Sequence, residues 1–271
     1  YHVWATIIFL IVMTFSSRNN SSTMKISIIT VCFNSEKFIE RCVDSVRCQK
    51  TSVSEHILID GNSTDKTLEI LNKYINYDDG YKKTIISEKD DGVYDAMNKG
   101  LNMAKGDYVW FLNSDDKITD CDVVSDIRKI LVKDKSTMIV GSTRIMNEKN
   151  IVRMYNPILP NKRFIPQQPH PSLLVSLEFL LTNNITFDSQ KLIASDYKMQ
   201  LEVIKNGGEM SISNRVFSDM YVGGISNSSI KYKFLGWFES YIVFNEVFGS
   251  GGLKNTIYKI FSKLNQFRRK W

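Results

Sequence analysis

The sequence predicts an α/β protein: a doubly wound, mostly parallel sheet flanked by helices, with a helical C-terminal extension. Three observations predict it. Short apolar runs alternate with segments of helical periodicity from residue 25 to about 140, the pattern of repeated β-α units. Four successive runs end in polar or acidic groups, at Thr30/Asn34, Asp60, Asp90/Asp91 and Asp115. In such sheets ligands bind beyond the carboxyl ends of the strands. Residues 231–271, last, are basic and rich in Phe, Tyr and Trp with helical spacing.

The elements follow in order. Val3 to Phe15 is apolar, too short for a comfortable membrane span, with no basic n-region before it and no evident cleavage site after it. The folded protein is expected to start near Met24, with residues 1–23 an upstream leader or disordered segment; a short membrane anchor is the second reading. Lys25–Val31 is the first strand, and a helix from about Glu36 buries Ile39, Cys42, Val43 and Val46. His56–Ile59 is the second strand. It ends in Asp60-Gly61-Asn62-Ser63-Thr64-Asp65, where Asp65 suits the cap of the next helix. Thr84–Ile86 is the third strand, Glu88–Gly92 an acidic turn, Val93–Ala104 a helix, and Tyr108–Leu112 a buried fourth strand running into Asn113-Ser114-Asp115-Asp116. A helix near Asp122–Val132 and a strand at Thr137–Val140 complete the alternation.

Beyond Ser142 the alternation weakens. Arg144 to Tyr155 suits a β-hairpin, and residues 157–171 hold all five prolines, a rigid irregular loop that contains His170. Ser172–Ser176 reads as a strand, Lys191–Asn206 as a helix stopped by Gly207-Gly208, Glu209–Phe217 as a strand and Gly223-Gly224-Ile225-Ser226 as a turn. Residues 24–226 are expected to form one domain, with a first half at about 24–118 and a second at about 119–226, followed by a basic aromatic helical tail at 227–271.

Composition narrows the chemistry. A chain of 271 residues, 43% hydrophobic and 24% charged, has ample material for a globular core. Four cysteines without a CxxC pair and three histidines argue against a Cys/His zinc site, and reduced thiols in a cytosolic protein are the expectation. No GxGxxG follows the first strand, and GxxxxGK[ST] and GxSxG are absent, which disfavours dinucleotide-binding dehydrogenases, P-loop enzymes and serine hydrolases. Residues 231–271 carry Lys231, Lys233, Lys254, Lys259, Lys263, Arg268, Arg269 and Lys270 against Glu239 and Glu246. This tail accounts for the formal net charge of +6 and points to an anionic membrane surface rather than nucleic acid; a solvated helical face packed on the domain is the alternative. What remains is a sheet rim of carboxylates. Asp115 and Asp116 suit a hard divalent cation, or a plain turn or cap.

The segments SIITVCFNSEKFIERCVDSVRCQ, ILIDGNSTDKT, DDGVYDAMNKG and GDYVWFLNSDD resemble the ordered motifs of family 2 glycosyltransferases with the GT-A fold, in particular the bacterial branch that builds surface polysaccharides. The resemblance is dense over about residues 25–118 and thinner to Ser226. It implies an inverting transferase that moves one sugar from a nucleotide-diphosphate sugar, UDP favoured, to a glycan or lipid-linked acceptor, with about residues 24–118 the nucleotide-binding half and 119–226 the acceptor half. The expected place is cytoplasmic, with the basic tail leaving a peripheral position on the inner face of the plasma membrane as an option. Thr30, Val31 and Asn34 would then line the base and ribose site. Asp60 would accept from a base N–H, and Asp91, Gly92, Asp95, Asn98, Lys99 and Ser114 would meet diphosphate or sugar. Lys99 could also be a plain surface lysine. Asp115, with Asp116 helping, would hold Mg²⁺ or Mn²⁺ against the diphosphate.

Asp196 occupies the place of the general base, although Ser195 stands where the family has Glu; a helix N-terminal carboxylate is its other reading. His170, in Gln168-Pro169-His170-Pro171, matches a histidine common in this branch and would order the acceptor or metal side, or simply serve the loop. The metal motif also departs from the family, since it begins with Asn113. A non-catalytic nucleotide-sugar-binding or scaffold protein is the competing class. The end Gln266–Trp271 resembles the QxxRW of processive synthases with its spacing off by one, and is read as a basic amphipathic end.

Overall fold

A computed structural model describes residues 24–147, 150–161, 164–222 and 230–267; residues 1–23, the Gly223–Ser226 turn and the last four residues lie outside the described residues. The chain folds as β1 (Ile26–Cys32), α1 (Ile39–Arg47), β2 (Glu55–Asp60), α2 (Thr67–Ile75), β3 (Lys82–Ser87), α3 (Val93–Met103), β4 (Tyr108–Phe111), β5 (Lys117–Ile118), α4 (Val123–Lys133), β6 (Met138–Met146) and β7 (Ile151–Tyr155). A short 3-10 turn (His170–Ser172) then leads into β8 (Leu173–Ser176), α5 (Leu177–Thr182), α6 (Ser195–Lys205), β9 (Met210–Tyr221), α7 (Ile230–Phe248) and α8 (Gly252–Phe267).

The strands join one sheet in the order β3-β2-β1-β4-β8-β6-β9-β5, with β7 paired to β6. The pairs among β1, β2, β3 and β4 are all parallel. β1 is buried along its whole length, as a parallel strand covered on both faces should be. Side chains alternate across it. Ile29 and Val31 meet Tyr94, Met97 and Leu101 of α3, whereas Ile28 and Cys32 face the layer of α1, α2 and α4.

Parallel pairing carries the C-terminal ends of β1–β4 to one edge, with Cys32 against Asp60 and Asp60 against Ser87. The second half is laid out differently. β6 does not follow β4 directly; β8 inserts between them, antiparallel to both, and β6 and β7 form the expected hairpin. α7 packs on α6, and α8 folds back on α7. Ala194, Tyr197 and Leu201 close against Val243 and Val247 there, so the C-terminal hairpin is seated on the helix that bears Asp196.

The expectation of reduced thiols throughout is corrected for one pair. Cys48, at the end of α1, and Cys121, just before α4, form a disulfide, and Cys32 and Cys42 remain buried free thiols. The two partners lie 73 residues apart and meet because α1 and the start of α4 are neighbours in space. Gln49 reinforces that seam by donating to the Asp120 carbonyl and accepting from the Val124 amide.

Candidate active site

The rim is built from short turns that the strands leave behind. Asn34 takes a left-handed backbone (φ 46°), which asparagine tolerates. Its amide donates to Ser63 Oγ (2.8 Å) and its Oδ1 accepts from the Thr64 amide (2.9 Å), so the β1 and β2 turns are stitched together. Asp60 is fully buried beneath them. Its Oδ2 accepts from Ser87 Oγ (2.6 Å) and the Ser63 amide (3.1 Å), and its Oδ1 accepts from the Ser63 hydroxyl. Asp65 receives the Glu36 amide (3.0 Å) and the Thr67 amide (2.9 Å), which holds the start of α2. A Cβ at Gly61 would lie 2.5 Å from Asp90 Oδ2, so a side chain there would push the Asp90 carboxylate aside.

The acidic turn after β3 prepares α3. Gly92 stands at φ 111° at the helix start, a conformation suited to glycine, and its amide meets Asp90 Oδ1 (3.0 Å). The Asp91 amide donates to Asp95 Oδ2 (3.1 Å). Lys99 bridges Glu88 (2.9 Å) and Asp95 (3.4 Å), and these carboxylates raise its pKa above the ordinary lysine value. A cavity of about 200 Å³ opens beside this turn, between Asp91–Tyr94 and a wall that includes Lys191, Leu192 and Tyr232.

The second cluster gathers residues from three distant segments. Asp116 is buried just beyond β4. Burial first, then the charge of Asp115, pushes its carboxyl well above the usual carboxylate range; Arg41 and the Tyr221 backbone amide act the other way. His170 Nε2 lies 3.9 Å from Asp116 Oδ2, and His170 Nδ1 lies 3.7 Å from Asp196 Oδ2. Asp196 sits in the first turn of α6, where the helix dipole favours a carboxylate. It accepts from the Tyr197 amide (2.7 Å) and, at both oxygens, from Gln167 Nε2 (3.0 and 3.1 Å). The Pro-rich loop that delivers His170 is itself anchored, since Trp110 donates to the Pro171 carbonyl (2.9 Å) and Ser172 Oγ meets the Ser142 carbonyl and Ser218.

Two buried atoms in this cluster have no hydrogen-bond partner: Asp116 Oδ1 and His170 Nε2. Buried polar atoms are normally satisfied, so an unmet carboxylate oxygen and imidazole nitrogen on neighbouring side chains suit a ligand. Oxygen and nitrogen donors of this kind fit Mn²⁺, and the carboxylate fits Mg²⁺. Among the described residues no three His, Cys, Asp or Glu side chains are grouped so as to hold a metal ion between them. The fit is therefore one of donor chemistry.

Of the residues singled out in the sequence, Asn34, Asp60, Asp91, Gly92, Asp95, Lys99, Ser114, Asp115, Asp116, His170 and Asp196 stand on the rim or beneath it. Thr30 and Val31 do not present side chains there. Strand alternation turns Thr30 onto the α1–α2 face, where its hydroxyl meets His56 Nε2 (2.9 Å), and turns Val31 into the core. Asn98 is also committed elsewhere: its amide donates to the Phe187 carbonyl (2.8 Å) and accepts from the Phe187 amide (2.8 Å). Asp60 has both oxygens engaged by its own turn. Ser114 Oγ pairs with Ser35 Oγ (2.9 Å).

Three residues were missed. Phe33 is 61% exposed at the end of β1, a bare aromatic on the rim that its place in a strand-end turn could have flagged. Arg41 donates to the Asp115 carbonyl (2.8 Å) and stacks on the Tyr221 ring at 3.5 Å. Gln167 binds Asp196. Neither of the last two carries a local signal, because each partner is far away in sequence.

The fold is thus an α/β sheet whose parallel strand ends form a rim, faced by Asp116, the partly buried His170 and Asp196. The chain belongs to glycosyl transferase family 2, whose family model matches residues 27–186. It is 33% identical over 124 residues to the PGL/p-HBAD biosynthesis glycosyltransferase of Mycobacterium bovis (strain BCG / Pasteur 1173P2), a match covering 46% of this chain and 48% of that one. The chain thus spans about half the length of the curated relatives it matches. Among solved structures, S. aureus TarS 1–349 in complex with UDP-GlcNAc superposes with a TM-score of 0.66 at 20% identity, covering 88% of this chain and 73% of the other. The mannosyltransferase PcManGT of Pyrobaculum calidifontis, in complex with GDP-Man and Mn²⁺, gives 0.65 at 15% identity, covering 89% and 70%. These likenesses establish the GT-A-like fold.

Proposed function

We propose that this protein is an inverting, metal-dependent glycosyltransferase that moves one sugar from a nucleotide-diphosphate donor to a glycan or lipid-linked acceptor in surface-polysaccharide synthesis. The observation that carries the reading is the Asp116–His170–Asp196 array, two buried carboxylates about a partly buried imidazole with unmet donor atoms, facing the strand-end rim. UDP-sugars are the favoured donors, in keeping with the UDP-GlcNAc complex of the structural neighbour.

The base rests on the turns of β1 and β2, with the exposed Phe33 ring as its platform and Asn34 and Asp60 shaping the pocket. Diphosphate and sugar meet Asp91, Gly92, Asp95, Lys99 and Ser114. Asp115, with Asp116 and His170 beside it, would hold Mg²⁺ or Mn²⁺, which would offset the negative charge of the leaving diphosphate. Asp196 takes the proton of the acceptor hydroxyl as that oxygen attacks the anomeric carbon and the nucleoside diphosphate leaves from the opposite face. Gln167 holds the Asp196 carboxylate in orientation, and Arg41 holds the Asp115 backbone.

Thermal shift with UDP, GDP, CDP and TDP, each with and without Mn²⁺, tests this. The expected result is a metal-dependent shift with one nucleotide that is lost in Asp115→Ala and Asp116→Ala. Well-folded protein that responds to none of the four overturns the reading and favours the non-catalytic alternative.

A further inference from the structure

The α7–α8 hairpin presents an apolar surface that the domain does not cover. Ile230, Phe234, Phe238, Tyr241 and Phe248 are exposed along α7, and their spacing places them within one stripe of the helix. On α8, Leu253, Ile257 and Phe261 recur every four residues and are exposed as well. The sequence aromatics do not all share this exposure: Trp237 and Phe244 lie at the edge of the stripe and are half-buried, Phe244 against the Tyr197 cluster.

Charge on the hairpin is sorted by face. Lys231 and Lys233 flank the α7 stripe, Lys254 flanks that of α8, and all three are exposed. The two acids of the tail point the other way. Glu239 is buried and accepts the Leu192, Ile193 and Ala194 amides (2.8–3.0 Å), and Glu246 pairs with Lys191 and Lys198. Acidic side chains are thus used to seat the hairpin on the domain, and the outward face is aromatic, aliphatic and cationic. The sequence after Glu246 contains no further Asp or Glu.

We infer that the outward face of α7 and α8 lies on an anionic phospholipid surface, with its aromatic stripe at the headgroup level and its lysines on the lipid phosphates. A second copy of this chain is the less suitable occupant, because its own lysines would meet these. The placement also serves the site. Tyr232, between Ile230 and Phe234, lines the cavity beside Asp91 and Gly92. The N-terminal end of α7 thus lies beside the Asp91–Gly92 turn, with Tyr232 on the helix side away from the stripe, so an acceptor on a lipid carrier would arrive near the proposed donor site. This last step rests on the transferase reading; the docking itself does not.

The test is vesicle flotation of the full chain with phosphatidylcholine alone and with phosphatidylcholine plus phosphatidylglycerol. Binding to the anionic vesicles only, weakened by salt, is expected. Each of Lys231→Ala, Lys233→Ala and Lys254→Ala should lower partitioning about fivefold. Phe234→Glu with Phe238→Glu should lower it at least tenfold while leaving the melting temperature unchanged, because both rings are exposed already. Absence of flotation, equal binding to both vesicle types, or binding untouched by the Phe→Glu pair overturns the inference. So does a dimer in light scattering that the same pair dissociates, since that would make a second copy the occupant. A protein that floats but fails the nucleotide thermal shift keeps the docking and loses the donor assignment.

Discussion

The two halves of the molecule build their parts of the site by different means. In the first, β1–β4 run parallel, and each strand end hands a short turn to the same edge; every contributor lies within a few residues of a strand. In the second, β8 runs antiparallel between β4 and β6, and the groups that matter arrive from a proline loop (His170) and a helix start (Asp196). The first half sets the proposed binding edge through local backbone geometry. The second sets the proposed reacting groups through long-range anchors such as Gln167 on Asp196 and Trp110 on Pro171. Changes in the second half should therefore act on turnover with donor binding intact, and changes in the first should act on donor binding or stability.

Asp196→Ala breaks that comparison most severely if the reading is wrong. Loss of a general base should lower kcat by about 10²–10⁴-fold. The metal-dependent nucleotide shift should stay as in the wild type. Transfer that survives in single-turnover assays would remove Asp196 from the base role.

Asp116→Asn comes next, because Asp116 lies where the halves meet. Partners one shell out from a metal commonly cost 10–100-fold, so a direct ligand should cost at least about 100-fold in activity. The Mn²⁺ dependence of the nucleotide shift should disappear. The metal-free protein should melt no lower than the wild type, since a buried carboxylate with an unmet oxygen has been replaced by a neutral group. An unchanged Mn²⁺ response would leave Asp115 as the cation's main ligand.

Asn98→Ala sharpens the boundary between binding and support. Its amide closes two bonds to the Phe187 backbone, so truncation should cost about 2–3 kcal/mol in urea unfolding by leaving both groups unmet. The donor KM should move little. A large KM effect with unchanged stability would return Asn98 to the donor site, where the family resemblance had put it.

These contrasts also explain what the sequence could and could not disclose. The parallel half was legible because each signal is local: an apolar run makes a buried strand, and a turn residue follows it. The Asn34, Asp60 and Gly92 turns were found for that reason. Thr30 was misplaced toward the rim because proximity to a strand end says nothing about which face a side chain takes; alternation along β1 decided that. The insertion of β8, the Cys48–Cys121 link and the contacts of Arg41 and Gln167 join segments far apart in sequence, and periodicity carries no information on such pairs. Phe33 was readable in principle, as an aromatic in an exposed turn.

The smallest expected effect tests the floor beneath the rim. His56 is fully buried on β2, bonded to Thr30 Oγ1 (2.9 Å) and Tyr74 Oη (2.8 Å). Burial, and then the positive charge of Lys83, lower its pKa from the ordinary 6.5 to about 3. The folded state therefore keeps His56 neutral where the unfolded chain takes up a proton. Its contribution to stability is complete above pH 6.5 and is lost as the pH falls from there toward 3. Between pH 6.5 and 5.5 that amounts to about 1 kcal/mol, since one proton changes the unfolding free energy by roughly 1.4 kcal/mol per pH unit at full uptake. His56→Gln should lower stability at neutral pH through imperfect pairing with Thr30 and Tyr74, and should flatten this acid slope. Urea unfolding of both proteins at the two pH values measures it, and an equal slope in the variant would show that His56 does not govern the acid sensitivity of the parallel half.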